Sequence, residues 1–247
     1  MLLSSRKQLV LFDIDGTLLD CGPQVRRIFG HALQRVFGTF GAIDEYDFAG
    51  KTDHRIVMDL MTTEGVTAAR VETCLEELQG LYQAQLEAEL DREQMRLLAG
   101  VEELLEALGS RSEYTMGLLT GNWECGARIK LSQFNLNGYF EFGAFGDGTA
   151  DRNALPPVAL RRAERAAGHS FSSGGTLIVG DSTRDVACGR AHDVPVLAVA
   201  SGHTPARALA DAGADWVVPS LATLDLRHEV FHLLSDHENG ARLDEKA

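Results

Sequence analysis

Positively charged residues are scarce in this chain. It has 247 residues, with 23 lysines and arginines against 36 aspartates and glutamates, and a formal net charge of −13. Only four of the 23 basic residues are lysines, and these four are scattered along the sequence rather than clustered. Nucleic acids and anionic membranes are repelled by a negative field unless a local basic patch attracts them. We therefore expect neither as a partner, and an anionic substrate would need a bound cation or well-placed arginines.

Cysteine pairs and long apolar segments are also missing from the sequence. The four cysteines show no Cys-x-x-Cys pair and no zinc-type spacing, which predicts reduced, mostly buried thiols. The apolar run Leu9–Phe12 is ended by Asp13, so it is too short for a signal-peptide core or a membrane span. These features predict a cytoplasmic protein, and the 45% hydrophobic and 24% charged residues are ordinary for a soluble enzyme.

Short apolar runs of strand length recur along the chain. Some, such as Leu177–Val179, do not alternate with polar residues, which indicates strands buried on both faces. Helical patterns separate several runs, at Leu155–Ala167, Arg184–His192 and Pro205–Ala212. This alternation predicts an α/β fold, a Rossmann-like parallel sheet core sandwiched by helices. The predicted strands are Gln8–Asp15, Tyr114–Thr120, Phe140–Phe145, Thr176–Asp181, Val194–Ala200 and Asp215–Val218.

One region breaks the alternation of strands and helices. From about Pro23 to about Arg96 the apolar residues recur at helical spacing, and no convincing strand is present. We predict that residues 23–96 form an all-helical cap domain inserted after the first strand. The catalytic core would then be discontinuous, comprising residues 1–22 and 97–247. The alternative is that these are additional crossover helices packed on the sheet.

Acidic residues follow the strands at the edge where an open parallel sheet binds ligands. Asp13 and Asp15 end the first strand, Thr120 ends the second, and Asp181 and Asp185 follow the fourth. Crowded carboxylates repel one another, and Mg²⁺ prefers such oxygen ligands together with substrate phosphate. A metal there would also screen the approach of an anionic nucleophile to a phosphate. An aspartate can accept the phosphoryl group, and a second acid can protonate the leaving oxygen and later activate water.

The combined motifs carry a family resemblance. They are Asp13-Ile14-Asp15-Gly16-Thr17-Leu18 after an apolar strand, a strand ending in Thr120, and Gly180-Asp181-Ser182-Thr183-Arg184-Asp185. On these residues the chain resembles the haloacid dehalogenase-like hydrolase superfamily, most closely its phosphoglycolate-phosphatase-like branch with a helical cap. The resemblance covers nearly the whole chain. Helix capping and turn formation explain each of these residues singly, but not all of them together.

The resemblance implies a role for each acidic residue. Asp13 would be the nucleophile and a magnesium ligand. Asp15 would be the acid and base, and would bind the metal through its backbone carbonyl. Asp181 would bind the metal through its side chain, and Asp185 would support the site as a neighbouring or water-mediated partner.

The phosphoryl group and its positive partner involve other residues. The resemblance implies that Thr120, with the backbone of Gly121 and Asn122, holds the transferring group. The family usually has a lysine between this strand and the last acidic loop. Lys130 comes too early in the sequence, so we predict that Arg152 takes that place. An arginine can neutralise the site and bind phosphate with a fork of donors, but it does not lose its proton. The alternative is that Arg152 lies on the surface.

The predicted cap carries a candidate specificity loop. Phe48–Arg55 is a glycine-containing turn that opens a helix. In the resembling family a loop here reaches over the active site, so Lys51 and Arg55 could bind a second anionic group, such as a carboxylate. The alternative interpretation, a solvated turn, stays open.

The predicted function is that of a magnesium-dependent phosphatase. It would hydrolyse a small phosphorylated metabolite, phosphoglycolate-like or a sugar phosphate, through an aspartyl-phosphate, as a monomer or homodimer. A phosphosugar mutase or phosphonate hydrolase of the same superfamily is the alternative. A dehalogenase has no use for Asp15, and a phospho-receiver signalling domain would need neither Asp15 nor a cap. The zinc-protease pattern His228-Glu229-Val230-Phe231-His232 is interpreted as a chance match.

Overall fold

A single parallel sheet forms the centre of the protein. The computed structural model describes residues 7–224. Six strands pair in the order β5-β4-β1-β6-β7-β8, and every pair is parallel. The chain runs outward from β1 in both directions, which creates a switch point beside β1 where ligands bind in such sheets. The strands are β1 Gln8–Phe12, β2 Leu19–Asp20, β3 Arg96–Leu97, β4 Tyr114–Leu119, β5 Gly143–Ala144, β6 Thr176–Gly180, β7 Val196–Val199 and β8 Trp216–Val218.

Helices cover both faces of this sheet. Val10 and Phe12 of β1 enter one apolar cluster, and Leu9 and Leu11 enter another on the opposite face. Successive strand residues point to opposite faces, which explains why the run does not alternate with polar residues. The predicted α/β sandwich is confirmed. The helices are α1 Gln24–Phe37, α2 Asp53–Thr63, α3 Ala68–Glu89, α4 Val101–Gly109, α5 Glu124–Ser132, α6 Leu155–Ala167, α7 Thr183–Arg190 and α8 Ala206–Asp211.

The predicted and observed bounds agree best where strong end signals exist. Helix α6 has the predicted limits, because prolines occupy its first turn and Gly168 ends it in the left-handed region at φ 73°. The third predicted strand, which corresponds to β5, differs. Only Gly143 and Ala144 pair with β4, opposite Leu118 and Leu119, so this edge strand is shorter than the predicted Phe140–Phe145.

Helices α1 to α3 pack around an apolar cluster of their own, and we call this group the helical cap. Two short antiparallel strands lie at its base, where Leu19 pairs with Leu97 and Asp20 with Arg96. Sequence patterns did not reveal these strands, because two residues are too few to show a period. The domain division at residues 23–96 stays a prediction.

Trp123 joins the helical cap to the rest of the protein. It lies between β4 and α5, yet its indole is fully buried in the cap cluster. Its ring stacks on Phe29 at 5.6 Å between centroids and meets Tyr82 edge-on at 5.8 Å. Aromatic pairs in these arrangements add to the free energy of burial. Cys125 and Ile129 of α5 also pack against this cluster, so Trp123 is the fully buried part of a wider contact between the cap helices and the core.

Other expectations concern the chain as a whole. In residues 7–224 no helix is both long enough and apolar enough to cross a membrane. The four cysteines are unpaired, and two of them, Cys21 and Cys188, are buried. The His228–His232 pattern lies outside the described residues.

We expect Trp123→Ala to lower the free energy of unfolding by about 3–5 kcal/mol, because truncating a buried aromatic side chain leaves a cavity. Urea unfolding followed by circular dichroism measures this loss. Phe40→Ala is the matched control, since Phe40 is 48% exposed and should change stability little. Equal stabilities of the two variants would contradict the assigned role of Trp123.

Candidate active site

The register of the sheet brings the predicted residues to one edge. Phe12 lies opposite Leu118 of β4 and Val179 of β6, so the residues that follow these positions leave the sheet at the same level. There, Asp13, Asp15, Thr120, Arg152 and Asp181 line one cavity of about 570 Å³ between the sheet and the helical cap. Residues that are far apart in the sequence thus share one site.

Three carboxylates are crowded together in this site. Asp13, Asp181 and Asp185 each place an oxygen within 4.8 Å of the others, and all three are buried. Burial raises the pKa of Asp13 to about 6, although Arg152 opposes the shift. Burial, with repulsion from Asp185 and Asp13, raises the pKa of Asp181 to about 8. A divalent cation would offset this repulsion, and carboxylate oxygens are the donors that Mg²⁺ prefers, so the residues fit such an ion.

Asp185 uses its two oxygens for contacts within the protein. One accepts hydrogen bonds from the Ser182 backbone N–H at 3.0 Å and from its hydroxyl at 2.6 Å. These bonds belong to a capping box at the start of α7. The other oxygen lies 2.5 Å from Arg152 Nη2. Asp185 therefore holds both the α7 turn and Arg152, which fits a supporting position better than direct metal binding.

Arg152 is the cation beside Asp13. Its Nη2 lies 3.1 Å from Asp13 Oδ2 as well as close to Asp185, and only 6% of its side chain is exposed. Its Nε is buried without a hydrogen-bond partner among the described residues. Arg152 is thus buried beside Asp13 and does not lie on the surface, and its substitution for the family's lysine stays a prediction.

The cation beside Asp15 is Lys130, which the sequence analysis rejected as the family's lysine. Lys130 Nζ lies 2.9 Å from Asp15 Oδ1 and 2.8 Å from Oδ2. Asn122 Nδ2 donates to Asp15 Oδ2 at 2.7 Å and to Thr120 Oγ1 at 2.8 Å. Burial acts to raise the pKa of Asp15, but the charge and hydrogen bonds of Lys130, aided by Asn122, outweigh it and lower the pKa. The two catalytic candidates therefore have separate positive partners.

Two glycines allow the loops to approach Asp181 closely. A Cβ on Gly16, whose φ is +84°, would lie 2.3 Å from Asp181 Oδ2, and one on Gly202 would lie 1.7 Å away. Ser201 Oγ donates to the Gly16 carbonyl at 2.8 Å, which joins the loop after β7 to the loop after β1. The strand-end rule would have identified this loop had it been applied to β7.

A loop of the helical cap lies over the site. The Asp53 N–H donates to the Gly121 carbonyl at 2.8 Å, and the Trp123 N–H donates to Asp53 Oδ2 at 2.8 Å. Arg152 Nη1 donates to the Gly50 carbonyl at 3.3 Å. The loop is thus attached to both the Thr120 turn and the Arg152 region.

The two cap cations predicted from sequence lie in different places. Lys51 lines the cavity, with Nζ 3.7 Å from the Tyr46 ring centroid and 3.9 Å from Asp59 Oδ2. Arg55 is more than half exposed, pairs with Asp59 at 2.8 Å, and lies outside the cavity lining. Arg26, which the sequence did not single out, lines the cavity and donates to the Tyr46 carbonyl at 2.8 Å.

Comparison with known proteins gives the family. Residues 10–199 match the model of the haloacid dehalogenase-like hydrolase family. The chain belongs to this family. The resemblance drawn from the motifs is thereby confirmed, and the protein is a hydrolase.

Curated relatives and solved structures extend this result. A phosphoglycolate phosphatase of Cupriavidus necator is 29% identical over 87% of this chain and 90% of the relative, and one of Synechococcus elongatus is 28% identical over 88% and 95%. A hydrolase from Pseudomonas syringae superposes with a TM-score of 0.64 at 20% identity, over 92% of this chain and 99% of that one. CbbY from Rhodobacter sphaeroides, in complex with phosphate, gives 0.60 at 18% identity, over 89% and 96%. These structures share the fold of the haloacid dehalogenase-like hydrolases.

We expect Mg²⁺ to stabilise this haloacid dehalogenase-like hydrolase more at pH 8 than at pH 6. Because the pKa values of Asp13 and Asp181 are raised in the folded state, the metal-free protein binds protons that the unfolded chain has lost, and its stability falls as pH rises from about 4 to about 8. A cation binds the deprotonated carboxylates and reverses this loss.

Thermal unfolding of chelator-treated protein, with and without MgCl₂, measures the effect. Asp181→Asn should abolish most of the Mg²⁺-dependent rise in Tm. An equal rise at both pH values, or an unchanged rise in the variant, would contradict the assigned metal site.

We expect Asp15→Asn to destabilise the protein by about 2 kcal/mol more than Lys130→Met, because it removes charged hydrogen bonds and leaves an ammonium buried without a counter-charge. The Lys130 side chain is 2% exposed, whereas that of Asp15 is 42% exposed and can be hydrated when its partner is lost. Urea unfolding gives both values. The double variant should be more stable than Asp15→Asn alone, and the opposite order would contradict the ion-pair assignment.

Proposed function

We propose that this hydrolase is a magnesium-dependent phosphatase that removes phosphate from a small organic monoester through an aspartyl-phosphate on Asp13. The observation that carries the proposal is the position of Asp13. It is in contact with Arg152 and close to Asp181 and Asp185, at the carboxyl end of β1 and in the wall of the cavity beside the helical cap. An anionic nucleophile can meet an anionic phosphate there because Arg152 and a bound cation would together offset the negative charge of the carboxylates and the phosphate.

In the first step a carboxylate oxygen of Asp13 attacks phosphorus, and the bond to the leaving oxygen breaks. Arg152 and the Thr120 turn hold the phosphoryl oxygens, and Asp15 gives a proton to the leaving group. The lowered pKa makes protonated Asp15 a stronger proton donor, although a smaller fraction of it carries a proton at neutral pH.

In the second step Asp15 removes a proton from water, which attacks the phosphorus of the aspartyl-phosphate and releases inorganic phosphate and free Asp13. Pairing with Lys130 favours the carboxylate form of Asp15 that this step needs. Asp13 and Asp181, with the carbonyl of Asp15, would hold Mg²⁺. The bound ion would supply charge neutralisation and orientation of the phosphate.

The substrate is a small phosphate monoester, and phosphoglycolate is the first candidate. The named curated relatives are phosphoglycolate phosphatases, and the cavity of about 570 Å³ carries Lys51 and Arg26 in its cap wall. Either cation could bind a carboxylate on the substrate. Arg55 is a weaker candidate because its guanidinium already pairs with Asp59 and its side chain is mostly exposed to solvent.

We expect phosphate release from p-nitrophenyl phosphate and from phosphoglycolate with Mg²⁺, and little without it. Asp13→Asn should lower kcat by at least about 10³-fold, as expected when the nucleophile is lost. The variant should fold, since Asp185 still pairs with Arg152. Asp211→Asn is the control, because Asp211 is 72% exposed and pairs only loosely with Arg207 at 3.6 Å.

Rapid acid quench with ³²P-labelled substrate should trap labelled wild-type protein but not labelled Asp13→Asn. Phosphate release by the variant at the wild-type rate would refute the mechanism. Isomerisation of a sugar phosphate without net phosphate release would instead favour the mutase alternative.

A further inference from the structure

Lys130 is held by three contacts and has no donor left for a substrate. Its side chain is 2% exposed. Nζ lies 2.9 and 2.8 Å from the two oxygens of Asp15 and 2.6 Å from Asn122 Oδ1. An ammonium group has three N–H donors, so these three acceptors satisfy it completely. To bind phosphate itself, Lys130 would have to give up one of these contacts inside a buried site.

The same contacts fix the carboxylate of Asp15. Lys130 spans both of its oxygens, and Asn122 Nδ2 donates to one of them at 2.7 Å. Because Lys130 contacts both oxygens of the planar carboxylate, both side-chain torsions of Asp15 are restrained. Asp15 is nevertheless 42% exposed and lines the cavity, so its carboxylate is restrained on one side and open on the other.

The helix that carries Lys130 is itself clamped by the helical cap. On α5, Gly126 faces Tyr82 so closely that an added Cβ would lie 3.3 Å from its Cε1. Tyr82 is buried and packs against Trp123, which immediately precedes α5. Lys130 therefore projects toward Asp15 from a helix with little freedom to move.

We propose that Lys130 is a positioning residue, which holds the carboxylate of Asp15 in the orientation from which it exchanges a proton with the leaving oxygen. The inference rests on the proposed function, in which Asp15 is the acid. Lys130 acts through Asp15 and does not touch the substrate. Misplacing a proton donor by an ångström can cost about 100-fold in rate, so loss of Lys130 should impair the step that needs this proton.

The test compares two substrates of nearly equal shape that differ in the basicity of their leaving groups. Phenolate is a strong base and needs a proton as the bond breaks, whereas p-nitrophenolate is a weak base and needs little help. We expect Lys130→Met to lower kcat/KM for phenyl phosphate about tenfold more than for p-nitrophenyl phosphate, which is part of the roughly 10²–10⁴-fold that general acid catalysis usually contributes. KM should change little for either substrate, since Arg152 and Thr120 make no contact with Lys130 and keep their own positions.

A double-variant cycle tests whether Lys130 acts through Asp15. In an Asp15→Asn background, adding Lys130→Met should change kcat/KM by less than about twofold, because the residue it positions is already disabled. Arg128→Gln is the control for charge loss on the same helix. The Arg128 guanidinium donates to the Phe140 carbonyl at 2.8 Å, away from Asp15. The Arg128→Gln variant should therefore change kcat/KM equally for the two substrates.

The outcomes separate this inference from the proposed function. Equal losses of kcat/KM for the two substrates, or no loss, would overturn the positioning role while leaving the phosphatase intact. Failure of the wild-type protein to hydrolyse either substrate would overturn both. If Lys130→Met does not fold, Asn122→Ala removes the second tether of Asp15 and keeps the ion pair. It should show the same preference in weaker form, and equal losses for both substrates would again overturn the role.

Discussion

Mutual repulsion among buried carboxylates is the constraint on which this candidate active site depends. Asp13, Asp181 and Asp185 lie within a few ångströms of one another with almost no solvent, and each needs an opposite charge or a proton. Arg152 supplies part of that charge to Asp13 and Asp185 at once. The remainder is left on Asp13 and Asp181, which face the cavity. The protein thus keeps its charge imbalance at the place where a cation and a phosphate would meet.

The central sheet explains why so much of this arrangement could be predicted. Buried strands have a clear sequence signal, and parallel pairing forces their carboxyl ends to one edge. Asp13, Thr120 and Asp181 follow β1, β4 and β6 directly, so their meeting is a consequence of topology. Arg152 could be placed by its interval in the sequence, since it precedes α6, whose limits were also predicted. The roles assigned to these residues stay predictions that experiment must test.

What the sequence did not reveal depends on side-chain reach and on loop packing. Lys130 lies two turns into α5, and its position in the chain gives no sign that it returns to Asp15. Lys51 and Arg55 are only four residues apart in the sequence, but they lie in different surroundings. Arg55 is in helix α2, where it pairs with Asp59 and is exposed to solvent, whereas Lys51 precedes the helix and lines the cavity. Gly202 matters only because Asp181 lies where its Cβ would be. Such facts arise from three-dimensional packing, which no periodicity records.

The burial of Trp123 in the helical cap has a consequence for how such proteins diversify. Helices α1 to α3 of the helical cap are consecutive in the chain, which invites exchange of one cap for another. In this protein, however, a side chain from the turn that carries Thr120 and Asn122 completes the interior of the cap. A transplanted cap would leave a void or a clash at position 123, close to Thr120. The unit that can be inherited or engineered intact is therefore the cap helices together with the downstream residues that pack into them, Trp123 above all.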